Sequence, residues 1–159
     1  MQKLLQGLIR LFSSFQSISL LLLRLALAYG FYGPAINKLG NFDSIVMWFD
    51  DLHFPYPWAQ AFMAATTESL GVIALALGLS TRFFAFALMI VMLVAIFLVH
   101  GIDTFEAAKN GFEIPLYYFL MLSVLMTFGP GKYSMDETFL KKYFGSFYGG
   151  GKPDVKGGK

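Results

Sequence analysis

Residues 68–101 read ESLGVIALALGLSTRFFAFALMIVMLVAIFLVHG. They are two apolar blocks with only the polar pair Thr81 and Arg82 between them. Each block is about as long as a ~30 Å hydrocarbon core is thick when coiled as a helix. Two such helices joined by so short a link must be antiparallel neighbours. Working outward, two more blocks of the same kind appear, so that the expected spans are Ser17 to about Asn37, Trp58 to Leu79, Phe83 to Gly101 and Ile114 to Gly129. The last is only just long enough to cross. Four spans with short links predict an all-α fold, an integral membrane four-helix up-and-down bundle with short interfacial amphipathic helices.

Composition agrees. Of 159 residues 57% are apolar and 14% charged, with 18 Phe, 8 Tyr and 2 Trp, which excludes a disordered or low-complexity chain and argues against an ordinary soluble domain. A net charge of +2 is too small to suggest nucleic acid as a partner. There is no cysteine, so disulfides, iron–sulfur clusters and thiol nucleophiles are excluded within this chain. The sequence holds no repeat and no second domain: residues 1–148 read as one membrane domain, and the Gly- and Lys-rich stretch 149–159 as a disordered tail.

Orientation follows from the basic residues. Lys3, Arg10, Arg82, Lys132, Lys141, Lys142, Lys152, Lys156 and Lys159 fall on one side of the spans, Lys38 and Lys109 on the other, which predicts both termini in the cytoplasm. Arg24 interrupts the first apolar run, so an uncleaved span is expected there in place of a signal peptide. Leu4, Leu5, Leu8, Leu11, Phe12 and Phe15 make an amphipathic lead-in to it. Ile45, Trp48, Phe49 and Leu52 recur at helical spacing and predict a short helix on the outer interface. Beyond the fourth span, Ser134 and Glu137 form a capping-box pattern ahead of Phe139, Leu140, Tyr143, Phe144 and Phe147, predicting an inner interfacial helix.

Two charges lie deep in the spans. An ionised group near the bilayer centre costs at least ~2.5 to 3.5 kcal/mol on insertion scales, so Arg24 and Glu68 need a partner or a wet site. With Lys38 and Pro57 both taken as outer boundary marks, the two fall at similar depth and are expected to meet. Ala61, Ala65, Glu68, Gly71 and Leu75 share one stripe, which turns Glu68 into the bundle against a closely packed neighbour. On the first span Ala26, Gly30 and Gly33 form a small-residue stripe, Pro34 is a potential bend, and Arg24, Phe31 and Lys38 recur at intervals of seven on a neighbouring face. A second cluster is expected at the outer mouth, from Lys38, His100, Asp103 and Glu113, with Tyr117 one turn after Glu113. His100 could relay protons there. Two readings of the Arg24 and Glu68 pair stand open: a structural pair that fixes helix register, or the lining of a ligand or proton path. With two histidines and no ligand-spaced set, no metal and no haem are expected.

Four pieces in order resemble the DoxX family of small four-helix membrane proteins. They are LLLRLALAYGFYGPAINKLG (21–40), ESLGVIALALGLSTR (68–82), VHG (99–101) and GPGKYSMD (129–136). The resemblance implies the plasma (inner) membrane of a prokaryote. It also implies kinship with subunits of quinone-linked oxidoreductases such as thiosulfate:quinone oxidoreductase, and with proteins tied to redox stress. A quinone is therefore the expected cofactor. Phe31, Tyr32, Phe97 and Tyr117 would supply walls, Arg24 or Tyr117 a hydrogen-bond donor, and Glu68 or Glu113 a proton, with Lys38 counted among the cofactor-binding residues and His100 among those for proton transfer. Electrons would come from a soluble redox partner on the cytoplasmic face or from the substrate. The alternative readings are a small-molecule transporter or exporter, and a structural anchor docking a soluble redox enzyme through residues 134–148; a lipophilic small molecule is the expected ligand partner. The remaining partner expectations are the lipid bilayer and a second copy of the chain.

Overall fold

The fold is that of a computed structural model, which describes residues 2–139 and, within them, side chains from Phe15 onward. All of its regular structure is helical: α1 (Gln2–Gly40), α2 (Phe42–Asp51), α3 (Pro57–Leu77), α4 (Thr81–Val94) and α5 (Glu113–Phe128). A π-helical turn, Ala95–His100, prolongs α4, and a 3-10 turn, Ala107–Lys109, sits in the loop before α5. Three helical stretches are long and apolar enough to cross a membrane, Phe15–Gly40, Pro57–Leu77 and Thr81–His100. The protein is an all-α membrane protein. The fourth apolar helix, α5, has 16 residues. At a rise of ~1.5 Å per residue that is about 24 Å, short of a ~30 Å core.

Around the bundle α1 packs on α3, α3 on α4 and α4 on α5, while α1 and α5 touch much less. α2 lies against α3 beside the end of α1. Buried Leu20, Leu27, Phe31, Leu75, Leu88, Leu122 and Leu125 form the core. The expected stripe on α3 is buried throughout: Ala61, Ala65, Glu68, Gly71 and Leu75. Gly71 is needed for close approach, since an added Cβ would run into the Leu88 side chain.

On α1 the inward face is the one carrying Arg24, Phe31 and Lys38, with Leu27 and Ala35. The small-residue stripe is the correction here, because Ala26 and Gly33 are exposed and only Gly30 makes a close approach. The helix is unbroken across Pro34. The lead-in before the first span continues α1 back to Gln2, with the side chains of Leu4 to Phe12 outside the described ones.

The link between α3 and α4 falls at residues 78–80, and Thr81 and Arg82 belong to the first turn of α4. Gly78 ends α3 in the left-handed conformation, φ +71°, with its N–H on the Ala74 carbonyl at 2.8 Å. The helix expected after the fourth span begins at residue 135, and Ser134 Oγ accepts the Glu137 N–H at 3.1 Å as an N-cap does. The remainder of that helix, with Leu140, Lys141, Lys142, Tyr143, Phe144 and Phe147, and the 149–159 tail lie outside the described residues.

Candidate functional site

Arg24 and Glu68 do not meet. Glu68 Oε2 pairs with Lys38 Nζ at 2.8 Å, and the two side chains are 4% and 16% exposed. Arg24 lies at the other end of the bundle, 1% exposed, where its Nη2 donates to the Tyr133 carbonyl at 2.7 Å. The expected contact fails because Lys38 is not a boundary residue. It points inward from the last turns of α1 and reaches Glu68, and Arg24, two heptads earlier, comes level with the α3–α4 link.

At the arginine end the pieces interlock. The Asp136 carboxylate accepts the Ser80 N–H at 2.6 Å and the Thr81 N–H at 2.9 Å, capping α4, and the Asp136 N–H donates to the Gly78 carbonyl at 2.9 Å. Arg24 packs on Gly78 and has Asp136 as its anionic neighbour. Arg82 Nη2 reaches the Thr127 carbonyl at 3.4 Å. Helix α1, the α3–α4 link and the 129–136 loop are thus tied by one arginine and one aspartate. Arg24 Nε and Nη1 have no hydrogen-bond partner among the described residues.

At the lysine end lies a cavity of about 580 Å³. Lys38 and Glu68 line it with Phe31 from α1, Phe49 from α2, Thr67 from α3, His100 from the π turn and Tyr118 from α5. The walls are otherwise largely aliphatic and aromatic, a composition and size common to small-molecule sites. The π turn places His100 at this cavity, and such turns are frequent at functional sites. His100 Nδ1 lies 2.8 Å from the Asn110 carbonyl. A carbonyl only accepts, so Nδ1 carries the proton and Nε2 is left for exchange.

The expected mouth cluster comes apart. Glu113 accepts the Ala107 N–H at 3.0 Å and the Tyr117 hydroxyl at 3.1 Å, and so closes the 106–113 loop. Tyr117 and Glu113 are not among the residues lining the cavity, and Asp103 is exposed. Tyr32 (57% exposed) and Phe97 (61%) face outward. Of the expected wall residues Phe31 alone lines the cavity.

Tyr118 was not expected there. Its ring lies 5.3 Å from that of Phe31, and its hydroxyl rests on Gly30, where an added Cβ would collide with it. Tyr117 drew attention through its spacing from Glu113, but the inward stripe of α5 is Pro115, Tyr118, Leu122 and Leu125. In a helix apolar on every side that stripe has no signature. Gln60 and Thr67, also at the cavity, are seven residues apart and so share a face of α3, which is a readable signal. Among the described residues no three His, Asp or Glu side chains converge as metal ligands would.

Compared with known proteins, residues 19–101 match the DoxX family model. The chain belongs to the DoxX family. An uncharacterized protein of Haemophilus influenzae is 32% identical to this DoxX chain over 135 residues, covering 80% of it and 86% of the relative. No solved structure matches it. The structure divides the quoted sequence pieces between two places: Arg24, Gly78 and 129–136 build the interlock, while Lys38, Glu68 and His100 belong to the cavity.

Proposed function

We propose that the cavity binds the headgroup of a quinone or similar lipophilic carbonyl compound, and that the chain is the membrane subunit of a quinone-linked oxidoreductase. The carrying observation is the Lys38–Glu68 ion pair set in the wall of an apolar, aromatic-lined cavity within the membrane-spanning helices. Membership of a family often found as oxidoreductase subunits supports the same reading.

The residues present fit such a headgroup. Lys38 has donors beyond the one it gives to Glu68, and these can polarise a carbonyl oxygen. Glu68 and His100 Nε2 can give up or take a proton at the cavity wall. Phe31 and Tyr118 provide flat apolar surface and hold water away. When bound, a quinone supplies two-electron, two-proton redox chemistry that no side chain of this chain can. The electrons then come from a partner protein or from the reduced substrate itself.

The test is to purify the protein from membranes, extract it with organic solvent and quantify quinone per chain by mass spectrometry. Wild type is expected to carry close to one equivalent, with Glu68→Gln and Lys38→Met depleted and Arg24→Lys retaining it. Equal content in all four, or none in wild type even after quinone is supplied in nanodiscs, would overturn the reading.

A further inference from the structure

The register of α3 on α4 shows where the cavity begins and ends. Gly71 meets Leu88, so along this antiparallel pair Glu68 comes level with residues 91–92. His100 stands eight or nine residues beyond, about 13 Å toward the 101–112 loop. Glu68 is therefore at the floor of the cavity and His100 near its rim. Gln60 lies about two helical turns above Thr67 on the same face of α3, and at the rim Asn110 is exposed. The polar side chains of the cavity thus climb from buried Glu68 through Thr67 and Gln60 to His100 and the loop. A site so lined is polar enough to hold water along that route.

Below Glu68 the route stops. Lys38 and Arg24 are 14 residues apart on α1, about 21 Å along the helix. The bundle between them is filled by Leu27, Phe31, Leu75, Leu88 and Leu122, none more than 1% exposed. Among the described residues Glu68 and Arg24 are the only buried titratable groups, and the other buried polar side chains, Ser17, Thr81 and Ser134, sit at the arginine end. A bare ion in such a hydrocarbon layer costs far more than a wetted one, and the layer offers no oxygen or nitrogen side chain to carry a proton across. The titratable groups that share the cavity with Glu68 are Lys38 from α1, His100 from the π turn and Tyr118 from α5, while α2 contributes aromatic side chains.

We infer that the site exchanges protons with one aqueous phase only, the one at the face formed by α2 and the 101–112 loop, and is sealed from the face formed by the α3–α4 link and the 129–136 loop. This rests on the headgroup reading above and gives its protons a side. A quinone reduced here takes two electrons from the partner protein or reduced substrate and one proton on each carbonyl oxygen, and both protons are drawn from that phase. Oxidation of the quinol returns two protons to the same phase. On the orientation expected from the basic residues, that phase is outside the cytoplasm.

The chain has no cysteine, so single thiols can report on this. In sealed vesicles of one orientation, Asp103→Cys and Lys132→Cys, at two exposed positions, mark the two faces by their reaction with a membrane-impermeant maleimide. Thr67→Cys and Gln60→Cys, on the cavity wall, are then treated with N-ethylmaleimide, which crosses the bilayer, while the pH is set separately on each side. Only the thiolate reacts, so below the thiol pKa of ~8.5 the rate rises about tenfold per pH unit in the phase that exchanges protons with the site. Both cavity thiols are expected to follow the pH on the Asp103 side and to ignore the pH on the Lys132 side.

Rates that follow the Lys132 side, or both sides, overturn the inference. So do thiols that respond to neither, which is the behaviour of a cavity open only to lipid. No quinone is needed for this measurement. A one-sided response in a protein that binds no quinone keeps the water route and removes the headgroup reading, and a two-sided response in a protein that carries quinone does the reverse.

Discussion

Removing the lysine from the Lys38–Glu68 pair should cost stability by an amount that depends on pH. In Lys38→Met the apolar stem is kept and Glu68, almost fully buried, loses its counter-charge. Truncating one partner of a buried ion pair typically costs about 3 to 5 kcal/mol, because the other charge is left unpaired. Protonation of Glu68 sets a ceiling. Neutralising a carboxyl of ordinary pKa, ~4.3, costs about 3.7 kcal/mol at pH 7 and about 1 kcal/mol at pH 5, at 1.36 kcal/mol per unit. The loss should therefore be about 3 to 4 kcal/mol at pH 7 and shrink toward 1 kcal/mol at pH 5. The double variant Lys38→Met/Glu68→Gln carries no charge at the site and should recover most of the loss and show no such slope. The assay is reversible unfolding in mixed micelles across that pH range, run as a double-mutant cycle. A pH-independent loss in Lys38→Met, or a double variant as unstable as the single, would refute the reasoning.

Other consequences are open to measurement. Asp136→Ala removes the acceptor for two N–H groups at the start of α4 and should cost about 1 to 2 kcal/mol, seen in the same unfolding assay. Gly78→Ala adds a side chain at positive φ under Arg24 and should lose more than ~1 kcal/mol, whereas Gly33→Ala, with open space around it, should be near neutral or slightly stabilising. Arg24→Ala should lower stability and spare the ligand content of the fraction that still folds, while Glu68→Gln should deplete the ligand; matching effects on binding would mean that the two ends are not separate sites. Gly30→Ala collides with Tyr118 and should be partly rescued by Tyr118→Leu, and a loss unchanged in the double variant would dissociate the two residues.

The fold was legible because the bilayer fixes span length and charge marks the breaks, so that four blocks, the α3–α4 link and α2 could all be placed within a few residues. The pairing was not legible. Helical periodicity tells which residues share a face of one helix, and it placed Glu68 inward correctly, but it says nothing of how far one helix slides along the next. Assigning Lys38 and Pro57 a common depth was such a slide, and it joined Arg24 to Glu68 when each has a different partner. The cavity is contributed by four apolar helices, α2 and a loop, and Tyr118 could be assigned to it only once α5 had a rotation. His100 was legible as a polar helix end, but its partner, the Asn110 carbonyl, is a backbone atom in a loop and leaves no trace in composition.

The tie between Arg24 and the Tyr133 carbonyl also bears on how the protein is made, since its two halves are 109 residues apart in the chain. At ~5 to 20 residues per second, the guanidinium on the first helix is synthesised about 5 to 20 s before the carbonyl that will accept its hydrogen bond. For that interval the first span carries an unsatisfied charge through the insertion machinery, and the bundle can be latched only when the segment after the last span has emerged. A ribosome that stops short of residue 133 leaves a chain with every apolar helix present and its arginine without that carbonyl.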